Sequence, residues 1–176
     1  LPIPLPLHLI IRSLIHLGIY EKQNAFNNFK KFQDKTYLPQ IVANLPHDVH
    51  ALQKFELNNE VDDDMKLQVV LNLLRYWINS LSDTIIPSAY LDKFIELAEV
   101  QRYPAIFVNL TPVHQRTFGY LIGFFREILA HKEQNGITQE ILLDNFSRCI
   151  VYNEKNNTDE LVQRKLYKTC PLFIEY

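Results

Sequence analysis

The sequence predicts an all-α single domain of about seven to nine helices, and three observations support this class. Apolar residues recur at the i, i+3, i+4, i+7 spacing of amphipathic helices through most of the chain. The 176 residues suit one domain, and the 47% apolar content is enough to build a core. With four glycines and nine prolines, the composition excludes collagen-like and low-complexity chains.

The first helix is predicted by a single apolar stripe followed by a glycine. The stripe consists of Leu7, Ile10, Ile11, Leu14 and Ile15. Gly18 then stands where a helix would end in a left-handed cap. Residues 1–6 alternate with proline and are expected to form an extended lead-in. Since the chain opens without Met, we expect a domain cut out of a longer protein.

The stretch after Gly18 has a weaker pattern. Phe26 and Phe29, with Phe32 at the end, form a second short helical pattern that stops at Leu38-Pro39. Residues 46–58 fit a short helix or a loop equally well.

Two long stripes, over residues 65–81 and 112–132, are predicted to be the central and most buried pair of helices. The first follows Asp62-Asp63-Asp64, whose carboxylates suit a helix N-terminus. The second follows Thr111-Pro112, an N-cap residue with proline in the first turn. The predicted core includes Leu74, Trp77, Leu121, Phe125 and Phe146.

The remaining helices are shorter. One is predicted to open at Pro87-Ser88, and residues 105–110 fit a strand or a helix. Asn135-Gly136 stops the second long stripe, and Thr138 caps the helix that follows. A last helix is predicted from Asn157 to about Cys170.

Composition and motifs exclude several function classes. The net charge is −2, and 18 Lys and Arg are scattered among 20 acidic residues, which argues against a dedicated nucleic-acid binder. The phosphate-loop, dinucleotide-binding and serine-nucleophile motifs are missing from the sequence. No apolar run approaches the roughly 20 residues that span a bilayer, so we expect a soluble, cytoplasmic protein.

Histidine and cysteine arrangements predict neither a metal site nor a disulfide. His47-x-x-His50 and Glu127-x-x-x-His131 each place two potential ligands on one helical face, but no third ligand follows at a recognisable spacing. Cys149 and Cys170 are expected to be reduced thiols. We therefore expect no metal and no cofactor.

Four segments resemble the Rho GTPase-activating protein (RhoGAP) family, in the family's order. Residues 74–90 resemble its signature L-K-x-[YF]-L-R-x-L-P-E-P-L-[IV]-P, and residues 110–126 resemble its L-P-x-x-H-x-x-x-L-x-x-L helix. Residues 131–138 resemble its H-x-x-x-N-x-M-T junction, and Gly18-Ile-Tyr20 resembles the loop that ends its first helix. The matches cover most of residues 4–151, and the resemblance implies the family's helical bundle.

The same resemblance locates departures at functional positions. The family's arginine finger, worth about 10³–10⁵ in the rate of GTP hydrolysis, corresponds to Glu21, a carboxylate that phosphates repel. The family's lysine on the long helix matches Arg75, which keeps the charge. Its following arginine matches Asn79, and its asparagine matches Ile141. Three of the four positions have therefore lost the family's chemistry.

This pattern implies a binding module without catalytic activity, similar to the degenerate RhoGAP-like domain of Lowe-syndrome type inositol polyphosphate 5-phosphatases. The expected partner is a small GTPase of the Rho, Rac, Cdc42 or Rab type, with adaptor peptides as a second class. Recruitment to membranes through other domains of the parent protein is also expected. The residues expected to bind the GTPase are Tyr20, Glu21, Lys22, Arg75, Asn79 and Ile141.

Two alternatives stay open. One is an active GTPase activator that uses a substitute arginine, Arg12 or Arg75, although Arg12 lies two helical turns before the finger position. The other is a structural appendage that packs on a neighbouring domain and binds no GTPase.

Overall fold

The computed structural model describes residues 3–151, except residues 27, 28, 30, 31, 33 and 100–102. Within these residues the predicted all-α class is confirmed, with nine α-helices, one 3-10 turn at Ser88–Tyr90 and no strand. The helices are α1 Leu5–His16, α2 Tyr37–Asn44, α3 Ala51–Glu56, α4 Asp63–Ser80, α5 Leu91–Glu99, α6 Tyr103–Asn109, α7 Pro112–Ala130, α8 Lys132–Asn135 and α9 Gln139–Val151.

Helix α1 begins earlier than the sequence suggested. Its N-cap is Pro4 and it contains Pro6, because a helix tolerates proline in its first turn, where no N–H partner is needed. The predicted lead-in over residues 1–6 is therefore wrong for residues 5 and 6. Its end is as predicted, since Gly18 has a φ of 77° and Ile19 N–H donates to the Leu14 carbonyl at 3.1 Å.

Both long helices bury apolar side chains in the core, and α4 packs against α1, α2 and α9. That the two form the central and most buried pair stays a prediction. At the start of α4, Asp62 accepts a hydrogen bond from the Met65 N–H at 2.9 Å, so it acts as an N-cap. Thr111 at the start of α7 does not cap with its side chain. Its Oγ1 lies 2.7 Å from His114 Nδ1 instead, so the helix start relies on Pro112.

Four of the five predicted core residues are buried: Leu74, Leu121, Phe125 and Phe146. Trp77 is the exception, because it is half-buried and packs against the edge of the core. Its indole is large and lies at the margin of the α4 stripe, a position where tryptophan is seldom covered completely.

Four phenylalanines form the aromatic centre of the core. Phe146 on α9 lies between Phe26, Phe29 and Phe125, with ring centroids 6.0, 5.5 and 5.0 Å away. Phe26 and Phe29 belong to turns, so the second short helix predicted there is wrong for the described residues. Two apolar residues at i and i+3 fit a turn as well as a helix, and here both rings pack against Phe146.

The two ambiguous segments are both helical, as α3 and α6. The predicted last helix over residues 157–170 and Cys170 lie outside the described residues, as does the side chain of Cys149.

Candidate functional site

The segment that joins α1 to the aromatic centre, residues 18–26, is called the exit loop here. Its first part is a turn that closes on Gly18, whose carbonyl accepts hydrogen bonds from the N–H groups of Glu21 and Lys22 at 3.1 and 3.0 Å. Asn24 has a φ of 60°, a conformation that asparagine tolerates better than most residues. The Asn24 N–H donates to the Asn135 carbonyl at 3.2 Å, so the loop is tied to the end of α8.

Side chains of other elements hold the exit loop from outside. The Gln68 amide on α4 donates to the Ala25 carbonyl at 2.6 Å, and Asp64 in the first turn of α4 forms an ion pair with Lys22. Asn135 is fully buried, with its amide donating to the Ile128 carbonyl at 2.8 Å and its Oδ1 accepting from the Ile137 N–H at 2.7 Å. These contacts hold both the exit loop and Asn135, whose carbonyl accepts the hydrogen bond from Asn24.

The sequence alone did not identify Asp64, Gln68 and Asn135 as residues that support the site. Asp64 had been interpreted only as part of a helix start, and Gln68 carried no signal because its partner is 43 positions away. Asn135 had a usable signal, since it occupies the asparagine of the H-x-x-x-N-x-M-T junction.

Tyr20 packs in a half-buried position beside the finger position. Its ring stacks on His131 with centroids 5.0 Å apart and an interplanar angle of 13°, and Phe124 lies 6.4 Å away. Burial raises the pKa of the Tyr20 phenol, and the negative charge of Glu127 raises it further. The phenol therefore stays protonated at physiological pH and can donate a hydrogen bond to a partner.

Glu21 is exposed and carries no ion pair with the described residues. One of its carboxylate oxygens lies 3.7 Å from the point where a Cβ on Gly18 would be, so the side chain folds back over the turn. The finger position of the RhoGAP resemblance thus presents negative charge at the surface.

Lys22 is exposed and is held by α4. Its hydrogen bond to Asp64 raises the pKa of the Lys22 ammonium, so the group keeps its charge at physiological pH. The same bond directs that charge to the first turn of α4, where Asp64 compensates it.

Arg75 and Asn79 lie further along α4, about 16 and 22 Å from Asp64 along the helix axis. Arg75 is half-buried, and its guanidinium carbon lies 5.8 Å from the centroid of the Phe29 ring, within the range of a cation–π contact. Asn79 is exposed. Among the described residues, no hydrogen bond or ion pair joins Glu21 to either of them.

Ile141 lies in the first turn of α9, and its partly buried side chain packs against the core. Its N–H donates to Thr138 Oγ1 at 3.4 Å, consistent with the predicted capping role of Thr138. The predicted site residues therefore form an exit-loop group, Tyr20 to Lys22, and separate positions on α4 and α9. No described contact links these groups at Glu21.

The described residues contain no cluster of three or more His, Cys, Asp or Glu side chains that could hold a metal ion. Across the same part of the chain, no helix combines the length and apolar character needed to cross a membrane. The described residues of the exit loop offer charged and hydrogen-bonding groups to a protein partner.

Gln68→Ala is expected to loosen the exit loop. A net hydrogen bond is worth about 0.5–1.5 kcal/mol, so amide exchange at residues 21–24 should rise by up to about tenfold. Asn72→Ala is the matched control, because the Asn72 amide donates to the Gln68 carbonyl within the same helix and does not reach the loop. Equal exchange in the two variants, measured by hydrogen–deuterium exchange, would show that Gln68 is not an anchor.

Comparison with known proteins agrees with the fold. Residues 9–155 match the RhoGAP domain family. The crystal structure of human Rho GTPase activating protein 15 (ARHGAP15) superposes with a TM-score of 0.76, covering 98% of this chain and 81% of that one at 14% identity. A curated relative, GTPase activating protein homolog 4 of Dictyostelium discoideum, is 26% identical over 105 residues. That match includes 57% of this chain and only 11% of the relative's length.

Proposed function

The chain belongs to the RhoGAP domain family, and on that basis we propose that it binds a Rho-type small GTPase without accelerating GTP hydrolysis. The exit loop and the exposed side of α4 would meet the GTPase. One observation carries the proposal: a carboxylate, Glu21, occupies the position where the resemblance implies an arginine finger.

The charges around Glu21 support this assignment. Stabilising the transferred phosphoryl group needs a cation within hydrogen-bond distance of the developing negative charge. Glu21 supplies the opposite charge, and the neighbouring ammonium of Lys22 is engaged by Asp64. A nucleotide placed against this loop would therefore meet a carboxylate first.

Binding does not need the finger. Affinity for a protein partner comes from buried area and complementary charge over a broad surface. Tyr20 offers an aromatic ring and a hydroxyl donor. The ammonium of Lys22 can leave Asp64 and pair with an acidic residue of the GTPase. Arg75, in contact with the Phe29 ring, adds a second cation.

The substitute-arginine alternative has less support. Arg12 lines a groove between α1 and α3 whose lining includes no exit-loop residue. Arg75 lies over Phe29 and has no described contact with Glu21.

We expect the 176-residue chain to bind at least one member of a panel of Rho, Rac and Cdc42 proteins, tested in both nucleotide states by biolayer interferometry. Lys22→Met should weaken that binding by about tenfold, because a charge-paired contact is worth about 1.4 kcal/mol. Lys35→Met, at an exposed lysine with no described contact, should change it by less than about twofold. If no GTPase bound in either state, the appendage alternative would replace this proposal.

Rab-type GTPases and adaptor peptides complete the proposed partners. A Rab would share the exit-loop surface and belongs in the same panel. A peptide would need a second, apolar surface, because the exit loop exposes Glu21 and Lys22.

A further inference from the structure

Exposed apolar side chains gather in one groove of this molecule. Eight large apolar side chains are exposed among the described residues, and four of them line the same groove between α1 and α3. They are Leu5, Ile15, Val49 and Leu57, with 54%, 43%, 49% and 67% of their surfaces exposed. Isolated exposed apolar residues are ordinary, and their grouping in one groove makes this groove a candidate interaction surface.

Two helical stripes form the walls of this α1–α3 groove, which has a volume of about 610 Å³. On α1 the lining residues recur at helical spacing, namely Leu5, Leu9, Arg12, Ser13 and His16. On and beside α3 they are Val49, Leu52, Gln53, Glu56 and Leu57. Helix α1 has 12 residues, so the groove is about 17 Å long, enough for three turns of a second helix.

The charges of the groove favour an acidic occupant. Arg12 is exposed and forms no ion pair with the described residues. The carboxylate among the lining residues, Glu56, is already engaged, because its Oε2 lies 2.8 Å from His16 Nδ1. The Glu56 side chain is only 12% exposed, so the exposed ionic group of the groove is Arg12.

The walls also select the conformation of the occupant. They present side chains of two helices and no strand edge, so an extended peptide would find no backbone partners for its N–H and C=O groups. A helix satisfies those groups internally and can place apolar side chains at i, i+3, i+4 and i+7 along the groove.

We propose that the α1–α3 groove docks an amphipathic helix of a partner protein, with its apolar face on Leu5, Val49 and Leu57 and an Asp or Glu facing Arg12. This occupant is distinct from the GTPase, since none of the lining residues belongs to the exit loop, and it specifies the surface and the conformation for the peptide class of partner proposed above. The two kinds of binding can therefore succeed or fail independently.

A phage-displayed library of alanine-framed peptides of about 14 residues, which span about 21 Å as helices, tests the proposal on the 176-residue chain. Selected peptides should carry apolar residues at i, i+3 or i+4, and i+7, together with at least one Asp or Glu. Binding of the selected peptides, measured by fluorescence anisotropy, should fall about tenfold or more with Leu57→Glu. Binding should fall similarly with Arg12→Glu. This variant should instead prefer peptides in which the selected Asp or Glu is replaced by Lys.

Val108→Glu is the matched control, because Val108 is 80% exposed on α6 and lies outside the groove. Leu57 is also exposed, so both variants should melt within a few degrees of the wild type. The proposal is overturned if no helical peptide is selected, if Val108→Glu weakens binding as much as Leu57→Glu, or if the selected peptides are basic.

Discussion

Replacing Phe146 by alanine is expected to lower the free energy of unfolding by about 3–5 kcal/mol. Phe146 is 1% exposed and its ring meets those of Phe26, Phe29 and Phe125. The loss combines the transfer of the ring from the interior with the cavity that remains. Each aromatic contact adds about 0.5–1.5 kcal/mol to the area term. Because Phe26 ends the exit loop and Phe29 lies under Arg75, the same change should loosen the candidate site.

Urea unfolding followed by circular dichroism measures this loss. Phe146→Leu retains much of the buried volume, so it should lower the free energy of unfolding by less than about 1.5–2 kcal/mol. Val113→Ala, at a residue 49% exposed on α7, should stay within about 0.5 kcal/mol of the wild type. A loss below about 1 kcal/mol for Phe146→Ala would show that the aromatic centre is not packed as described.

Much of the fold could be predicted because its determinants are local. The 3.6-residue period of the long stripes specifies α4 and α7. Gly18 marks the end of α1 because a left-handed residue is needed there. Asp62 marks the start of α4 because its side chain reaches an N–H three residues ahead.

The errors have a common physical origin in contacts between residues distant in sequence. The turns at Phe26 and Phe29 depend on Phe146, which lies more than a hundred positions away. Trp77 packs against the core but stays partly exposed, and the α4 stripe alone does not specify how far its neighbours cover it. Local periodicity carries no information on either.

For the candidate site, the sequence supplies motif positions but not the contacts that support them. The resemblance identified Glu21, Arg75, Asn79 and Ile141 from their motif positions. The contacts that hold the exit loop come from Asp64, Gln68 and Asn135, whose partners lie on other elements. Such pairings become visible only when the helices are assembled.

Glu21→Arg alone is expected to raise the rate of GTP hydrolysis by less than about tenfold, although an arginine finger is worth about 10³–10⁵. A catalytic side chain must be held close to its productive geometry by its neighbours. Here the family's orienting arginine is Asn79 and its asparagine is Ile141, and neither has a described contact with position 21. An arginine at the turn would therefore be mobile and would stabilise the transition state poorly.

This variant is compared with Glu21→Gln, which removes the negative charge without adding a positive one. Equal rates of GTP hydrolysis with the two variants would mean that the arginine acts only by removing the repulsion of Glu21. A thousandfold gain with Glu21→Arg would show that the exit loop still orients a finger, contrary to the proposed loss of its supporting residues.

Single-turnover GTP hydrolysis tests the proposed lack of catalysis. The rate is measured for a GTPase that the domain binds, with the wild-type domain at saturating concentration and an active RhoGAP domain as positive control. We expect a rate equal to the intrinsic rate of the GTPase, because Glu21 places a carboxylate where the transition state needs a cation. An acceleration of about tenfold or more would contradict it and would require a substitute arginine, with Arg75 the first to be replaced.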